Sequence, residues 1–145
     1  MQQLFRLDDW RARLAAEMDR QRRDAFAWGR HDCAIGFAAG IVEALTGVDL
    51  AQDYRGRYRT QAGALRLLRD SGAAGLGDFA ATMLPEIHPS RARVGDLGII
   101  AAPGVIGEAF CMFDASGIAV MTEVGHGRRP REDAIRAFMV GEDRE

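Results

Sequence analysis

Trp28-Gly29-Arg30-His31-Asp32-Cys33 leads directly into Ala34-Ile35-Gly36-Phe37-Ala38-Ala39-Gly40-Ile41-Val42. A glycine-containing turn delivers a cysteine to the start of an almost wholly apolar run. Between Cys33 and Leu45 only Glu43 carries charge, and Thr46-Gly47 supplies a stop, with Gly47 suited to the left-handed position past a helix end. A helix that is apolar all round is a buried central helix. At its N-terminus the unpaired N–H groups and the helix dipole favour an anion, so a thiol there can titrate as low as about 3.5–7.5 instead of ~8.5. A thiolate is a nucleophile for acyl transfer, and the same N–H groups can hold an oxyanion. The plainer reading of Cys33 is a small buried hydrophobe.

On the N-terminal side, Trp10, Leu14 and Met18 recur at i, i+4, i+8. That spacing predicts a helix ending near Arg22, with Asp8 as its cap. On the C-terminal side, Thr60 is placed to cap a helix containing Leu65, Leu67 and Leu68 and stopped by Ser71-Gly72. A short helix is expected around Asp78 to Leu84, before Pro85. The pattern then changes to strands: Leu97 to Ile100 after the turn Val94-Gly95-Asp96, then Glu108 to Phe113, Gly117 to Val124, and Ala134 to Val140. Helices first and strands afterwards is the α+β order. With 145 residues and no internal linker, the chain reads as a single domain over 1–145.

Composition narrows the function classes. Apolar residues are 48% and charged residues 28%, which argues against disorder. A formal charge of -2 gives no global basic field, so no nucleic-acid partner is expected, although all 19 basic residues are arginine. The cluster Tyr54-Arg55-Gly56-Arg57-Tyr58-Arg59 reads as a loop covering the central helix, with its arginines in solvent, and Arg128, Arg129 and Arg131 read as an exposed turn. Two cysteines, Cys33 and Cys111, make no disulfide scaffold, and no Cys-x-x-Cys or His-x-x-x-His spacing supports a metal site. Gly72-Ala73-Ala74-Gly75-Leu76-Gly77 lacks the preceding strand and the Lys of a phosphate loop, so no cofactor is expected. No apolar stretch is long enough to span a membrane. Acids in the opening MQQLFRLDDW argue against a secretory signal, so synthesis in the cytoplasm without one is expected.

Trp28-Gly29-x-x-Asp32-Cys33 resembles the nucleophile motif of NlpC-type cell-wall cysteine peptidases, a papain-like family. In that family a Gly-Asp-Leu turn later opens the first core strand, and Gly95-Asp96-Leu97 stands here in the correct order. Over nearly its full length the chain is also similar to small proteobacterial and phage proteins that share the opening helix with its Trp, the Trp-Gly-Arg-x-Asp-Cys turn and the Tyr-Arg-Gly-x-Tyr segment. The resemblance implies a papain-like fold, with the Cys-bearing helix packed on a small antiparallel sheet. It implies Cys33 as nucleophile, with Trp28, Gly29, Asp32 and Asp96 shaping the site. It also implies a phage tail-tip location in the virion, among other tail-tip proteins, with peptidoglycan as substrate of an active member.

One departure carries weight. The NlpC-type base is a His opening the next strand. Here that strand is Glu108-Ala109-Phe110-Cys111-Met112-Phe113, and Glu108 stands near the place of the His. Three histidines remain. His31 occupies a variable position of the motif, and His88 sits in the loop Pro85-Glu86-Ile87-His88-Pro89. His126, in Gly125-His126-Gly127, reads as a loop residue beside the strand that would carry the base, and is the best-placed substitute. Two functions follow from the resemblance. One is a tail-tip structural protein that keeps the fold with lost or weak activity, and the missing strand His favours it. The other is an active cysteine hydrolase that cuts peptidoglycan peptides during phage entry.

Overall fold

The i, i+4, i+8 spacing of Trp10, Leu14 and Met18 is realised in helix α1 (Trp10–Arg22) of the computed structural model, which describes residues 1–144. All three side chains are buried. Asp8 does not cap this helix. The residue before it is Asp9, whose carboxylate makes no capping bond and instead accepts from Arg13 Nε at 2.7 Å, one turn on. An i, i+4 ion pair has diverted the cap.

The central apolar run is two pieces rather than one α-helix. Cys33–Ala38 forms a π-helical turn, and α2 (Ala39–Thr46) continues it. The wider turn is visible in the bond from Phe37 N to Asp32 O, 2.9 Å long and five residues back. Gly47 ends α2 in the left-handed conformation, φ +81°, and its N–H donates to Glu43 O. Helix α3 (Gln61–Asp70) is capped by Thr60, whose hydroxyl accepts from Gly63 N at 3.0 Å. Helix α4 (Leu76–Ala81) begins and ends earlier than Asp78 to Leu84.

Six strands follow: β1 (Glu86–Ile87), β2 (Leu97–Ala101), β3 (Glu108–Asp114), β4 (Gly117–Thr122), β5 (Gly125–Arg129) and β6 (Arg136–Phe138). They form one antiparallel sheet in the order β1-β6-β2-β3-β4-β5. The molecule is therefore an α+β domain with helices on an antiparallel sheet. Several elements depart from the sequence pattern. Glu86–Ile87, in the stretch read as a loop, is a strand paired with β6, and β4 stops at Thr122 short of Val124. Gly125 to Arg129 is a strand paired with β4, not a loop and turn, and the last strand is shorter than Ala134 to Val140.

Side chains alternate along each strand, and both faces are covered. Leu97, Ile99, Phe110, Met112, Ala119 and Met121 join Phe37, Ile41 and Leu45 in the main core. Ile100, Cys111, Phe113, Ile118 and Val120 form a second cluster on the other face. Arg131 closes part of that face, stacked 4.7 Å from the Phe113 ring and donating to Pro89 O and Ala92 O. Burial on both faces explains why the strands read as apolar runs instead of clean alternation. Of these strands, β3 and β4 lie closest to the π-helical turn. Among the described residues no helix is long and apolar enough to cross a membrane.

Candidate functional site

The turn before Cys33 is held by one carboxylate. Asp32 is buried, and its Oδ1 accepts from Ala34 N at 3.0 Å and Ile35 N at 2.7 Å. Its Oδ2 accepts from Gly29 N at 3.0 Å and from the Tyr58 hydroxyl. The acid therefore caps the π-helical turn, closes the glycine turn and ties down the Tyr54–Tyr58 loop. Tyr58 titrates well above its ordinary range, chiefly through burial and then through the Asp32 charge. Gly29 has φ +79°, and a Cβ there would lie 1.9 Å from Tyr58 O, so only glycine admits the loop. Gly56 N also donates to Gly29 O.

Cys33 follows as the first residue of the turn, half-buried, in the wall of a cavity of about 550 Å³. The cavity lies between the central helix, α3, α4 and the sheet, and Trp28, Tyr58, Phe79, Met83 and Phe110 share its walls. Trp28 is fixed edge-on to Phe26, with ring centres 5.1 Å apart. In these apolar surroundings burial pushes the Cys33 thiol up to about 12, and the Asp32 charge acts in the same direction. Backbone N–H groups of Phe110 and Cys33 offset only part of this. Of the two readings of Cys33, the depressed thiol is not the one realised, because burial outweighs the helix-end donors.

The imidazoles are elsewhere, and none of the three lines the cavity. His126 is on β5 opposite Met121, half-buried on the face that meets the helices. It packs edge-on against Phe37, with ring centres 5.7 Å apart, and its Nε2–H donates to Gln21 Oε1 at 3.2 Å. That direction follows from Gln21, whose amide nitrogen is already committed to Glu17 and to the carbonyls of Gly36 and Phe37. Burial lowers the His126 pKa, with Arg22 a second cause. His31 is buried against Gly36, where a Cβ would lie 2.2 Å from its Nδ1, and that nitrogen is 4.0 Å from Asp24 Oδ2. His88 is exposed and bonded to Ser90.

Two further candidates are occupied by structural work. Glu108, at the start of β3, accepts from Leu76 N at 2.8 Å and Gly77 N at 3.3 Å, so its carboxylate caps α4 from 31 and 32 residues away. Asp96 is buried: Oδ1 accepts from Arg6 Nη2 at 3.1 Å and Val140 N at 2.9 Å, and Oδ2 from Arg93 N at 3.0 Å. It staples the chain's two ends to the Gly95-Asp96-Leu97 turn. Gln21, which holds His126 and the π-helical turn together, was not singled out from the sequence. A lone glutamine on an exposed-looking helix gives no signal of that role. Among the described residues no cluster of three His, Cys, Asp or Glu side chains is placed to hold a metal ion.

The Asp32 cap on the Trp28 to Cys33 turn and the Asp96 staple at Gly95-Asp96-Leu97 lie well inside one family match, which runs over residues 5–140 to the family described as a domain of unknown function (DUF6950). The chain belongs to the DUF6950 family. No curated protein and no solved structure matches it. In this DUF6950 member none of the three imidazoles shares the cavity that holds the thiol. The arginine clusters are also engaged within the chain: Arg55 with Asp49, Arg128 with Asp114, and Arg129 with Asp133.

Proposed function

We propose that this protein is a structural component of a phage tail tip that carries an NlpC-type peptidase fold without a working catalytic centre. The observation behind the loss of activity is the environment of Cys33. Its thiol lies in an apolar cavity that no histidine lines, and burial holds it in the neutral form. Only the thiolate attacks a carbonyl at useful speed, and expulsion of an amine needs an acid within hydrogen-bond reach. His126, the best-placed substitute, is bonded to Gln21 and stacked on Phe37 instead. Glu108 is committed to the α4 amides. The tail-tip part of the reading rests on the resemblance carried by Trp28 to Cys33 and Gly95-Asp96-Leu97. Its partners would then be other tail-tip proteins.

Two measurements test the two parts. Purified peptidoglycan is incubated with the wild-type chain, Cys33→Ala and His126→Ala, and the products are read by mass spectrometry. No muropeptide product is expected from any of them. Cleavage by the wild type that disappears in Cys33→Ala overturns the non-catalytic reading in favour of a cysteine hydrolase, and loss in His126→Ala as well identifies the base. Mass spectrometry of purified virions should find the protein, and its absence there overturns the tail-tip location.

A further inference from the structure

The cavity beside Cys33 has a chemical character of its own. At about 550 Å³ it falls in the size range of small-molecule sites, and its walls are almost wholly apolar, with Trp28, Leu67, Phe79, Met83 and Phe110 among them. The polar groups on its walls are mostly spent. Both Asp32 oxygens accept from the turn and from Tyr58, the Tyr58 hydroxyl is given to Asp32, and Glu108 Oε1 holds the α4 amides. Neutral groups are left: the Tyr54 hydroxyl and the Gln61 amide, with the Trp28 indole N–H and the Cys33 thiol, line the cavity and make no side-chain hydrogen bond among the described residues.

The charge on the walls is one-sided. Asp32, Glu108 and Glu123 contribute carboxylates, while Arg129, at the edge, is held by Asp133 at 2.9 Å. A ligand with an anionic head would meet carboxylates and no uncommitted cation. A sugar or peptide would bury polar groups against walls with few partners to offer, which costs affinity for each unsatisfied group.

We propose that this cavity is a binding site for one uncharged, mainly apolar molecule, of the class of a medium-chain alcohol, ester or amide, with its polar group met by Tyr54 and Gln61. In this site Cys33 serves as part of the apolar wall. The inference does not depend on the tail-tip location, and virion composition can come out either way without changing it; it does rest on a non-catalytic Cys33, and peptidoglycan cleavage lost in Cys33→Ala would overturn it.

The test uses the full chain and a neutral apolar dye, N-phenyl-1-naphthylamine, followed by fluorescence at pH 8. Saturable one-to-one binding is expected, and 1-decanol should displace the dye at a concentration at least tenfold lower than decanoate. Ala64→Phe and Leu67→Trp place bulk in the cavity from α3, at positions that are only partly buried, and each should weaken dye binding at least tenfold. Ala44→Phe, in the polar cleft behind the central helix, should leave it unchanged. Amide shifts of the wild type with 1-decanol provide a readout that needs no variant, and should be largest at Ala34, Phe79 and Phe110 and small at Gly40 and Ala44. Absence of saturable binding, equal displacement by decanoate, or shifts centred on Gly40 and Ala44 would each overturn the proposal. So would unchanged dye binding by folded Ala64→Phe and Leu67→Trp.

Discussion

On one side of the central helix, Cys33 faces Trp28, Tyr58 and Phe110 in an apolar cavity. On the other side, His31 lies against Gly36 near Asp24, in a cleft lined by Glu17, Arg20 and Glu43, while His126 reaches Gln21 and Phe37 from the sheet. Both sides hold buried titratable groups, yet they are biased towards different outcomes. On the cavity side, burial keeps a thiol and a phenol protonated. On the histidine side, burial keeps an imidazole neutral by driving its proton off. The same physical cause, loss of water around the charged form, acts on an acid and on a base. A nucleophile and a base become a catalytic pair only when each relieves the other's cost, and here the thiol's cavity holds no imidazole while His126 is given to Gln21 and Phe37.

The largest effect should come from the residue that holds the cavity side together. Asp32→Ala removes an acceptor from three backbone N–H groups and one hydroxyl, all in or near the buried turn. Stranded buried donors cost about 1–3 kcal/mol each, not all additive, so a loss of about 3 kcal/mol or more is expected in denaturant unfolding. Removal of His126 breaks a single bond to Gln21 and should cost much less. Equal losses in the two variants would remove the asymmetry between the sides.

Next in size is the alkaline limit, which belongs to the cavity side and the sheet. Cys33 and Cys111 are both pushed up to about 12 from an ordinary value of 9.0, mainly by burial. Between those values the unfolded chain releases thiol protons that the folded chain keeps. Stability therefore falls as pH rises above about 9. Melting temperature measured from pH 8 to pH 11 should drop, and Cys33→Ala should flatten the drop while leaving the contribution of Cys111. An unchanged slope in Cys33→Ala would mean that its thiol is not protected. Alkylation of native Cys33 near neutral pH should be slow for the same reason.

The acid limit belongs to the other side and is smaller, because His126 is only half-buried. Its folded pKa lies below the ordinary 6.5, chiefly through burial. As pH falls through 6.5 the unfolded chain takes up the proton first, so stability is lost towards acid. His126→Gln should flatten this part of the profile without altering the alkaline arm. A change in both arms would show that the two sides are coupled through the helix.

How far the sequence foretold this depends on the range of the interaction. The central helix, its Gly47 stop and the Thr60 cap were legible because each rests on neighbours a few residues apart. Cys33 at the head of the apolar run was legible for the same reason. His126 was misread as a loop residue, since flanking glycines and following arginines hide a strand whose inward residue is set by its register with Met121. The acidic reading of the thiol rests on a helix end, a local feature, whereas the walls that desolvate it, and favour the buried-hydrophobe reading, come from α3, α4 and β3. The π-helical turn also went unseen, because the apolar run Cys33 to Ala38 reads the same for a π as for an α turn.

Glu108 gives the smallest effect and the sharpest check on the site. Its position at the start of β3 invites a reading as a stand-in base, but its carboxylate oxygen faces Leu76 N and Gly77 N. As a helix cap, Glu108 works through an acceptor oxygen and, secondarily, through charge at the helix start. Glu108→Gln retains the acceptor and should cost only a few tenths of a kcal/mol, while Glu108→Ala leaves two amides unsatisfied and should cost about 1 kcal/mol. A base would show instead in an activity assay, where Gln, unable to take a proton, would be as damaging as Ala. Urea unfolding of the two variants tests the cap by their order. If Gln proves as costly as Ala, the charge rather than the hydrogen bond holds α4 in place. If either variant instead alters alkylation of Cys33 while stability is unchanged, Glu108 communicates with the thiol across the cavity, and the division between the two sides would have to be redrawn.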